Sequence, residues 1–593
     1  MTKRSDIAVL STWSSQKATV QGLLNCLVRE FALPLGAVEY TWPLDMTDCV
    51  EEQSRKKDEF PLHIRLPGER QFLVMVDRCD VLGSQRYLSD VMVKIDNGRW
   101  YTPSFAELIE HILKACGNIS GHYNDELAEQ IFQSQTLVKL ILEHNLSGNQ
   151  NAPLSSYLAS EQGLWFGHPS HPAPKARLWP AHLGQKQYAP EFQASTRLCQ
   201  FDVPLDELCI RSDRLDPGQV LAGFADQSRA RPGHGIIVMH PVQAWIFMQD
   251  DRVRHQLELG RIIDLGASGY LASPTASIRT WYLPGHDYFI KGSLNIRITN
   301  CVRKNAWYEL ESTLIIDRLL HHLITTSSEN LGGFVTAQEP GTLSWCPPLA
   351  SEEDRNWFRE QTGAILRENF CLRFGEESCL LAGTLFSRGA DLNPLIHGLF
   401  QNMSGKDSDD EHLLMWFAEY QRLLLSPVLS LFFNHGVVLE PHLQNSVVVH
   451  INGWPQHVLL RDFEGVKLTE DLGIYQVDTD MHPRIRQSLL YSREQGWNRI
   501  CYCLFVNNLA EAVLALSWSR PWLAPRMWQQ VRTELIYIRS RLSGDTPELD
   551  AVIEGQWLTC KTNLRVRLAA GADRQAGYVR LCSPWLQQEG QSD

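Results

Sequence analysis

Between His435 and Gly465 the chain reads HGVVLEPHLQNSVVVHINGWPQHVLLRDFEG, which gathers oxygen donors at two points. Glu440, His442 and Asn445 stand on a loop, and Asp462 and Glu464 follow after two β-rich runs, Asn445–Ile451 and Gln456–Arg461. Those runs flank Asn452-Gly453-Trp454-Pro455, a turn signal. With that segment as the loop, antiparallel pairing sets Asn445 opposite Asp462. Asp462 and Glu464, two apart, share one face of an extended chain. Convergent carboxamide and carboxylate oxygens are hard ligands that suit Mg²⁺, which usually arrives with nucleotide phosphates. An acidic residue five before an Asn, then a strand pair and Asp-Phe, is also the kinase arrangement for Mg-ATP. The chain departs from that arrangement: it has no His-Arg-Asp, and DFEG stands in place of DFG. An ordinary Asn-Gly hairpin with polar residues at its open end has the same appearance.

A second group of candidates is cationic. In FIKGSLNIRITN, Ile290, Leu294, Ile296 and Ile298 alternate with Lys291, Ser293, Asn295, Arg297 and Thr299, so a single strand would pack one face and present cations on the other. Arg303 and Lys304 follow, and upstream SPTASIRT places Ser277 and Thr280 around Arg279. Guanidinium forks and ammonium groups of this kind bind phosphate or carboxylate; on an antiparallel sheet they also serve as a solvated face. GHPSHPAPKAR holds His168, His171, Lys175 and Arg177 among prolines, which position side chains without a helix or strand. Two histidines without a nearby third ligand make a poor zinc site. A turn in which one His meets an anion, or simple structural hydrogen bonding, accounts for them better.

These residues need a large scaffold, and 593 residues supply two to four domains' worth of chain. The balance of 55 Lys and Arg against 68 Asp and Glu gives a net charge of −13. An acidic chain is a poor default binder of nucleic acid or anionic membrane, so an anionic small molecule must find a local basic pocket. The opening residues lack a signal-peptide pattern, and no uncharged apolar run long enough for a membrane span is evident. Fourteen cysteines without a CxxC pair read as buried thiols of a cytoplasmic protein. P-loop, GxSxG, GxGxxG and HExxH patterns are absent.

The positioning elements follow from periodicity. Ser104–Glu107 forms a capping box ahead of LIEHILKAC, and Leu127, Ile131, Leu137 and Ile141 recur at helical spacing. Residues 145–190 are loop-rich, 230–310 are dominated by short strands, and the chain beyond 310 is mainly helical. A helix ending near Asn434 leads into the Glu440 loop, and 482–545 is broken at Pro521 and Pro525.

GHPSHPAPKAR, HPVQAW, SPTASIRT, FIKGSLNIRITNCVRKN and the LEPHLQN…RDFEG pair occur in that order across essentially the whole chain. That order resembles the IucA/IucC family of siderophore synthetases, which work independently of nonribosomal peptide synthetases. The resemblance implies an α+β fold shaped as a cupped hand. Its parts would be a helical thumb (1–150), antiparallel β-rich fingers that hold ATP (151–335), and a mainly helical palm with a distantly kinase-like core (336–593). It implies ATP and Mg²⁺, activation of a citrate carboxylate as an acyl-adenylate with loss of pyrophosphate, and attack by a hydroxyl or amine to release AMP.

Carried onto this chain, the resemblance assigns Ser277, Arg279, Thr280 and Lys291 to the ATP phosphates and His168 to the α-phosphate. Arg303 stands between nucleotide and substrate carboxylate, and His442 contacts the carboxylate. His168, Arg303 and His442 form the catalytic set. Asp462 joins the ATP site, and Glu440, Asn445, Asp462 and Glu464 form the metal side. The SPTASIRTWYLP and IKGSLNIRITNCVRKNAWYELES wording looks closest to the citrate-using enzymes of achromobactin and vibrioferrin assembly, which implies L-serine as acceptor and a cytoplasmic homodimer. A diamine or amino-alcohol acceptor, a preformed citryl or other acyl substrate, a kinase-like phosphotransferase forming ADP, and a non-catalytic binding protein stand as alternatives.

Overall fold

The structure is a computed structural model that describes residues 2–49, 59–68, 70–148, 152–180, 182–298, 301–326, 331, 333–348, 351–404, 409–478, 480–572 and 575–585. Ser104 and Glu107 satisfy each other's backbone N–H groups at the start of a helix over Phe105–Ser120. Asn124 caps a second helix over Asp125–Ser147 through the Glu126 N–H. Each such cap holds a helix start by about 1 kcal/mol. These two and the long helix Thr2–Leu27 pack on an antiparallel sheet of Val38–Glu39, Phe60–Arg65, Arg70–Val76 and Met92–Ile95. Leu24, Leu27, Ile64, Phe72, Ile112 and Ile131 meet in its core.

The central layer is a seven-stranded antiparallel sheet. Its order is Thr196–Arg197, Leu271–Pro274, Thr280–Tyr282, Tyr288–Gly292, Ala364–Glu368, Gly341–Trp345 and Leu208–Arg211. Two of these strands come from beyond residue 335, so pairing continues past the β-rich segment expected from sequence. FIKGSLNIRITN is not one strand. Tyr288–Gly292 lies in the middle of the sheet, whereas Leu294–Ile298 pairs with Cys301–Arg303 in a separate hairpin. The chain turns out of the sheet where Gly292 N–H donates to the Arg279 carbonyl (3.0 Å) and Ser293 N–H to the Gly363 carbonyl (3.0 Å). Lys291 is consequently 1% exposed instead of lying on a solvated face. Thr299 lies outside the described residues.

The remainder is mainly helical. The helix Asp410–His435 ends at Gly436, whose φ of +66° is the left-handed value glycine adopts without cost. A side chain at Gly436 would collide with the Gly473 backbone, so this residue is fixed by close approach as well. The following hairpin pairs Ser446–Ile451 with Trp454–Leu460 around Asn452-Gly453, at φ +48° and +70°. That is a two-residue turn whose twist matches the strands, not the four-residue loop expected. A bulge between Val449 and His450 shifts the register further. Ser446 therefore faces Leu460, and Arg461 N–H donates to the Asn445 carbonyl (3.2 Å), so Asn445 lies across from Arg461 and not Asp462.

Beyond the hairpin, Arg493–Cys501 runs without a break into a π-helical stretch, Tyr502–Leu509, and then Ala510–Leu516. By length and composition Arg493–Leu516 could cross a membrane, but 94% of its most apolar window is buried inside the protein, as for a core helix. Pro521 precedes the helix Leu523–Arg539 and Pro525 sits in its first turn, where a missing N–H costs nothing.

Candidate functional site

The sheet and the hairpin deliver opposite charges to one point. Thr280 pairs with Lys291 across neighbouring strands, and the turn before Thr280 is tight. Ile278 N–H donates to the Thr275 carbonyl (2.8 Å), Thr275 N–H to the Thr280 carbonyl (2.9 Å), and Thr280 N–H to Ser277 Oγ (3.1 Å). Ile278 is held at φ +68°, a costly value for a β-branched residue. From this turn Arg279 reaches Asn305 Oδ1 and Glu464 Oε2, the latter at 2.7 Å. Lys291 Nζ contacts Asp462 and, at 3.0 Å, Glu464. Arg367 adds a contact to Asp462 at 3.5 Å.

Asp462 and Glu464 do not share an extended strand face. Asp462 has φ +77° and Phe463–Gly465 form a 3₁₀ turn, which swings both carboxylates onto Lys291. Burial alone would raise both carboxyl groups. The Lys291, Arg367 and Arg279 charges outweigh it, holding Asp462 well below the usual range, and Arg279 and Lys291 bring Glu464 to about 2. Glu309 beside them moves the other way. Burial and the Glu464 charge push its carboxyl up to about 7, which spares the cluster a third full negative charge near neutrality.

Glu440 turns elsewhere: it pairs with Arg499 and lies 3.9 Å from His442, and a side chain at Gly465 would collide with its carboxylate. Asn445 is buried just before the hairpin. Among the described residues no three His, Cys, Asp or Glu side chains are grouped to hold a metal ion. Mg²⁺ needs less from a protein: one or two carboxylates, with phosphate and water filling its octahedron. Asp462 and Glu464 fit that requirement, and the Glu440 carboxylate beside Gly465 is held by Arg499.

The histidine motifs share one device. In each of the four His-Pro pairs the His Nδ1 accepts the N–H two residues on: Ser170 to His168 (3.0 Å), Ala173 to His171 (3.0 Å), Val242 to His240 (3.0 Å) and Arg484 to His482 (3.1 Å). Proline offers no N–H of its own, so the next N–H takes the ring nitrogen. A neutral ring so held must carry its proton on Nε2. His168 is neutral, because burial and then the nearby His171, His442 and Lys561 depress its pKa well below the usual value. Its Nε2 is 3.2 Å from Tyr502 Oη, which can accept its proton, and 2.8 Å from Asn507 Nδ2, a donor that cannot bond a protonated Nε2. The Asn507 carbonyl oxygen is occupied by the Leu443 N–H (3.0 Å), which fixes its NH₂ toward His168. This corner presents hydrogen-bond donors, the arrangement an anion requires.

His168 opens into a cavity of about 340 Å³ whose walls include Ala276, Arg303, His442, Gln444, Arg388, Glu511 and Lys561. Ala276 stands in the turn that carries Arg279, the Gln444 carbonyl accepts from Arg461 (2.8 Å) next to Asp462, and Asp462 is close enough to act on the titration of His442, which burial holds neutral. The cavity therefore lies beside the cluster. Arg303 and Lys561 are half-buried, and among the described residues neither side chain has a hydrogen-bond or ion-pair partner. By contrast Lys175 and Arg177 of the proline-framed motif are consumed by Glu191, at 2.7 and 3.1 Å.

Sequence reasoning did not single out Lys561, Arg388, Asn507 or Tyr502. The last two come from the π-helical turn, a feature frequent at functional sites, and nothing in YCLFVNNL announces it. The His-Pro recurrence was the one available signal for the orientation of His168.

Comparison with known proteins gives one consistent result. The model of the IucA / IucC family matches residues 156–387, and that of the ferric iron reductase FhuF-like transporter matches 414–576. An L-2,3-diaminopropanoate–citrate ligase of Staphylococcus aureus is 24% identical over 79% of this chain and 81% of its own length. A spermidine-citrate ligase of Bacillus anthracis is 25% identical over 73% and 74%. The rhizobactin siderophore biosynthesis protein RhbC of Rhizobium meliloti is 24% identical over 96% and 97%. ATP-bound aerobactin synthetase IucA of Klebsiella pneumoniae superposes with a TM-score of 0.81 over 96% of this chain and 99% of its own, at 21% identity. The petrobactin biosynthesis protein AsbB of Bacillus anthracis gives a TM-score of 0.76 over 99% and 98%, at 18% identity. The α+β fold of this chain is the fold of those synthetases.

Proposed function

We propose that this member of the IucA/IucC family is an ATP-dependent, AMP-forming ligase that joins a carboxylate of citrate to a small hydroxyl or amine acceptor in siderophore biosynthesis, in the cytoplasm. The observation that carries the reading is the division of charge. Arg279, Lys291, Asp462 and Glu464 form one ion cluster, and beside it lies a cavity where, among the described residues, Arg303 and Lys561 are left unpaired. Citrate and ATP repel each other, so a site that joins them must supply cations to both. The citrate ligases among the relatives support the choice of acid, and the ATP-bound neighbour supports the nucleotide.

In this reading Arg279 and Lys291, steadied by Ser277 and Thr280, take the triphosphate, and Asp462 and Glu464 hold Mg²⁺. The metal would supply charge neutralisation along the phosphate chain. His168 donates its Nε2–H to the α-phosphate. Arg303 and His442 align a citrate carboxylate. Its oxygen bonds to the α-phosphorus, the bond from that phosphorus to the bridging oxygen breaks, and pyrophosphate leaves. The acceptor then attacks the acyl carbon, the carbonyl–oxygen bond of the adenylate breaks, and AMP departs with the electron pair. The acceptor's proton passes to neutral His442. Glu440 and Asn445 complete the metal side of this reading. L-serine is the acceptor proposed, and a homodimer the working assembly.

Nucleotide product analysis with Mg-ATP and citrate, with and without L-serine, tests the reading. AMP and pyrophosphate together with a citryl-serine mass are expected. ADP in their place would move the chain to the phosphotransferases. No turnover with any acid would make it a binding protein.

A further inference from the structure

The cavity extends beyond the residues that would handle citrate, and its remaining wall carries one charge of each sign. The helix that supplies Tyr502 and Asn507 continues along it through Glu511 to Leu516, and Trp518 follows in the next turn. Asn507 touches His168, and Glu511 stands four residues further along the same helix. Glu511 is fixed in place. One carboxylate oxygen accepts from Arg29 Nη2 at 3.1 Å, and Arg29 is itself anchored on the Leu82 carbonyl (2.7 Å), Ser84 Oγ (2.5 Å) and Ser170 Oγ. The other oxygen of Glu511 has no hydrogen bond among the described residues, although a carboxylate can accept several.

Arg388 shares this wall. Its guanidinium donates to Gln21 Oε1 and lies 5.8 Å from the Trp518 ring. Among the described residues no carboxylate lies within ion-pair distance of it. Burial brings its pKa down to about 10, with Glu511 the nearby charge that opposes the shift. A cation held in this way is costly unless a ligand supplies the anion. Two opposite charges lining one cavity, each with free hydrogen-bonding capacity among the described residues, match an α-amino acid zwitterion.

We propose that Arg388 and Glu511 form the acceptor subsite: Arg388 binds the carboxylate of an α-amino acid, Glu511 binds its α-ammonium, and the side-chain hydroxyl or amine is thereby aimed toward His168 and Arg303. This rests on the ligase reading above and narrows its acceptor to amino acids that keep both backbone charges. Polyamines and simple amino alcohols, which lack the carboxylate, are discriminated against at Arg388.

The test compares L-serine, L-2,3-diaminopropanoate and ornithine with their decarboxylated counterparts, ethanolamine, 1,2-diaminoethane and 1,4-diaminobutane. The full-length protein is used with Mg-ATP and citrate. For at least one pair the wild-type kcat/KM should favour the amino acid roughly a hundredfold, because a site built for a charged group leaves that site unpaired when the group is missing. In Arg388→Met the preference should fall toward unity through KM for the amino acid, and Arg388→Lys should restore part of it. Equal use of both members of every pair, or turnover only with the decarboxylated compounds, overturns the inference. So does a preference that survives Arg388→Met. The wild-type comparison decides even if the variant does not fold. Citrate-dependent exchange of pyrophosphate into ATP, measured on the wild type without acceptor, separates the two levels. Exchange without use of any amino acid overturns the subsite and leaves the ligase standing; no exchange removes both.

Discussion

The ion cluster under the seven-stranded sheet and the cavity beside it contain similar side chains in opposite states. Arg279 and Lys291 are buried and paired with Asp462 and Glu464, while Arg303 and Lys561 are half-buried and unpaired. In the cluster each charge satisfies another, so its residues serve the fold as well as any ligand. In the cavity the cations do little for the fold and depend on an incoming anion. A buried pair punishes loss of one partner, because the other remains as an uncompensated charge. A partly exposed lone cation costs little to remove from the apo protein.

Substitutions can break or sharpen this contrast. Lys291→Ala should have the largest effect, leaving the half-buried Asp462 and Glu464 with only Arg367 and Arg279 against them. We expect a stability loss of about 1–3 kcal/mol in denaturant melts and no measurable citrate-dependent pyrophosphate exchange. A variant as stable as wild type would refute the self-neutralised cluster. Arg303→Ala should leave stability within about 0.5 kcal/mol but lower the exchange rate roughly a hundredfold or more, as for loss of a transition-state donor. Near-normal exchange would remove Arg303 from the reaction. For Lys561→Met we expect an unchanged melt and a KM for citrate raised about tenfold, the value of one modest ionic contact; an unaltered KM would show that this lysine does not meet the acid. Asp462→Asn should raise the Mg²⁺ concentration at half-maximal activity more than the KM for citrate, and an unchanged metal dependence would count against the carboxylate assignment.

The two regions should also titrate differently, and this is the smallest effect expected. Glu464 has a pKa of about 2 in the folded protein, lowered from its ordinary value by Arg279 and Lys291 against the opposing effect of burial. Its contribution to stability is present above its unfolded value near 4.5 and is lost as pH falls from there toward 2. His168 has its folded pKa depressed below the ordinary 6.5 by burial. The unfolded chain therefore binds the proton first, and stability falls as pH drops below 6.5 by at most about 1.4 kcal/mol per unit. Melts of wild type and His168→Asn between pH 7 and 5 should show a shallower slope in the variant. Identical slopes would mean that His168 is protonated in the folded state.

Much of the framework was legible because it rests on local rules. The Ser104 box, the Asn124 cap, the 3.6-residue stripe of the following helix and the Asn-Gly hairpin each follow from a few adjacent residues. Register was not legible. A two-residue turn and one bulge moved Asn445 from Asp462 to Arg461, since turn geometry fixes pairing and neither feature has a sharp sequence signature. The alternation in FIKGSLNIRITN pointed to a single two-faced strand. It failed because the sheet accepts only Tyr288–Gly292 and is covered on both faces there, so Lys291 is buried with Ile290.

By itself the sequence determined the order of motifs, the types of charge available and the local caps and turns. Those depend on neighbours one to four residues apart. Only the tertiary structure decided which charges are spent and which are free: that Lys175 and Arg177 belong to Glu191, that Glu440 belongs to Arg499, and that Lys561 and Arg388 reach the cavity. Charge pairing acts over ångströms in space between residues hundreds of positions apart, and that proximity exists only once the sheets and helices have packed.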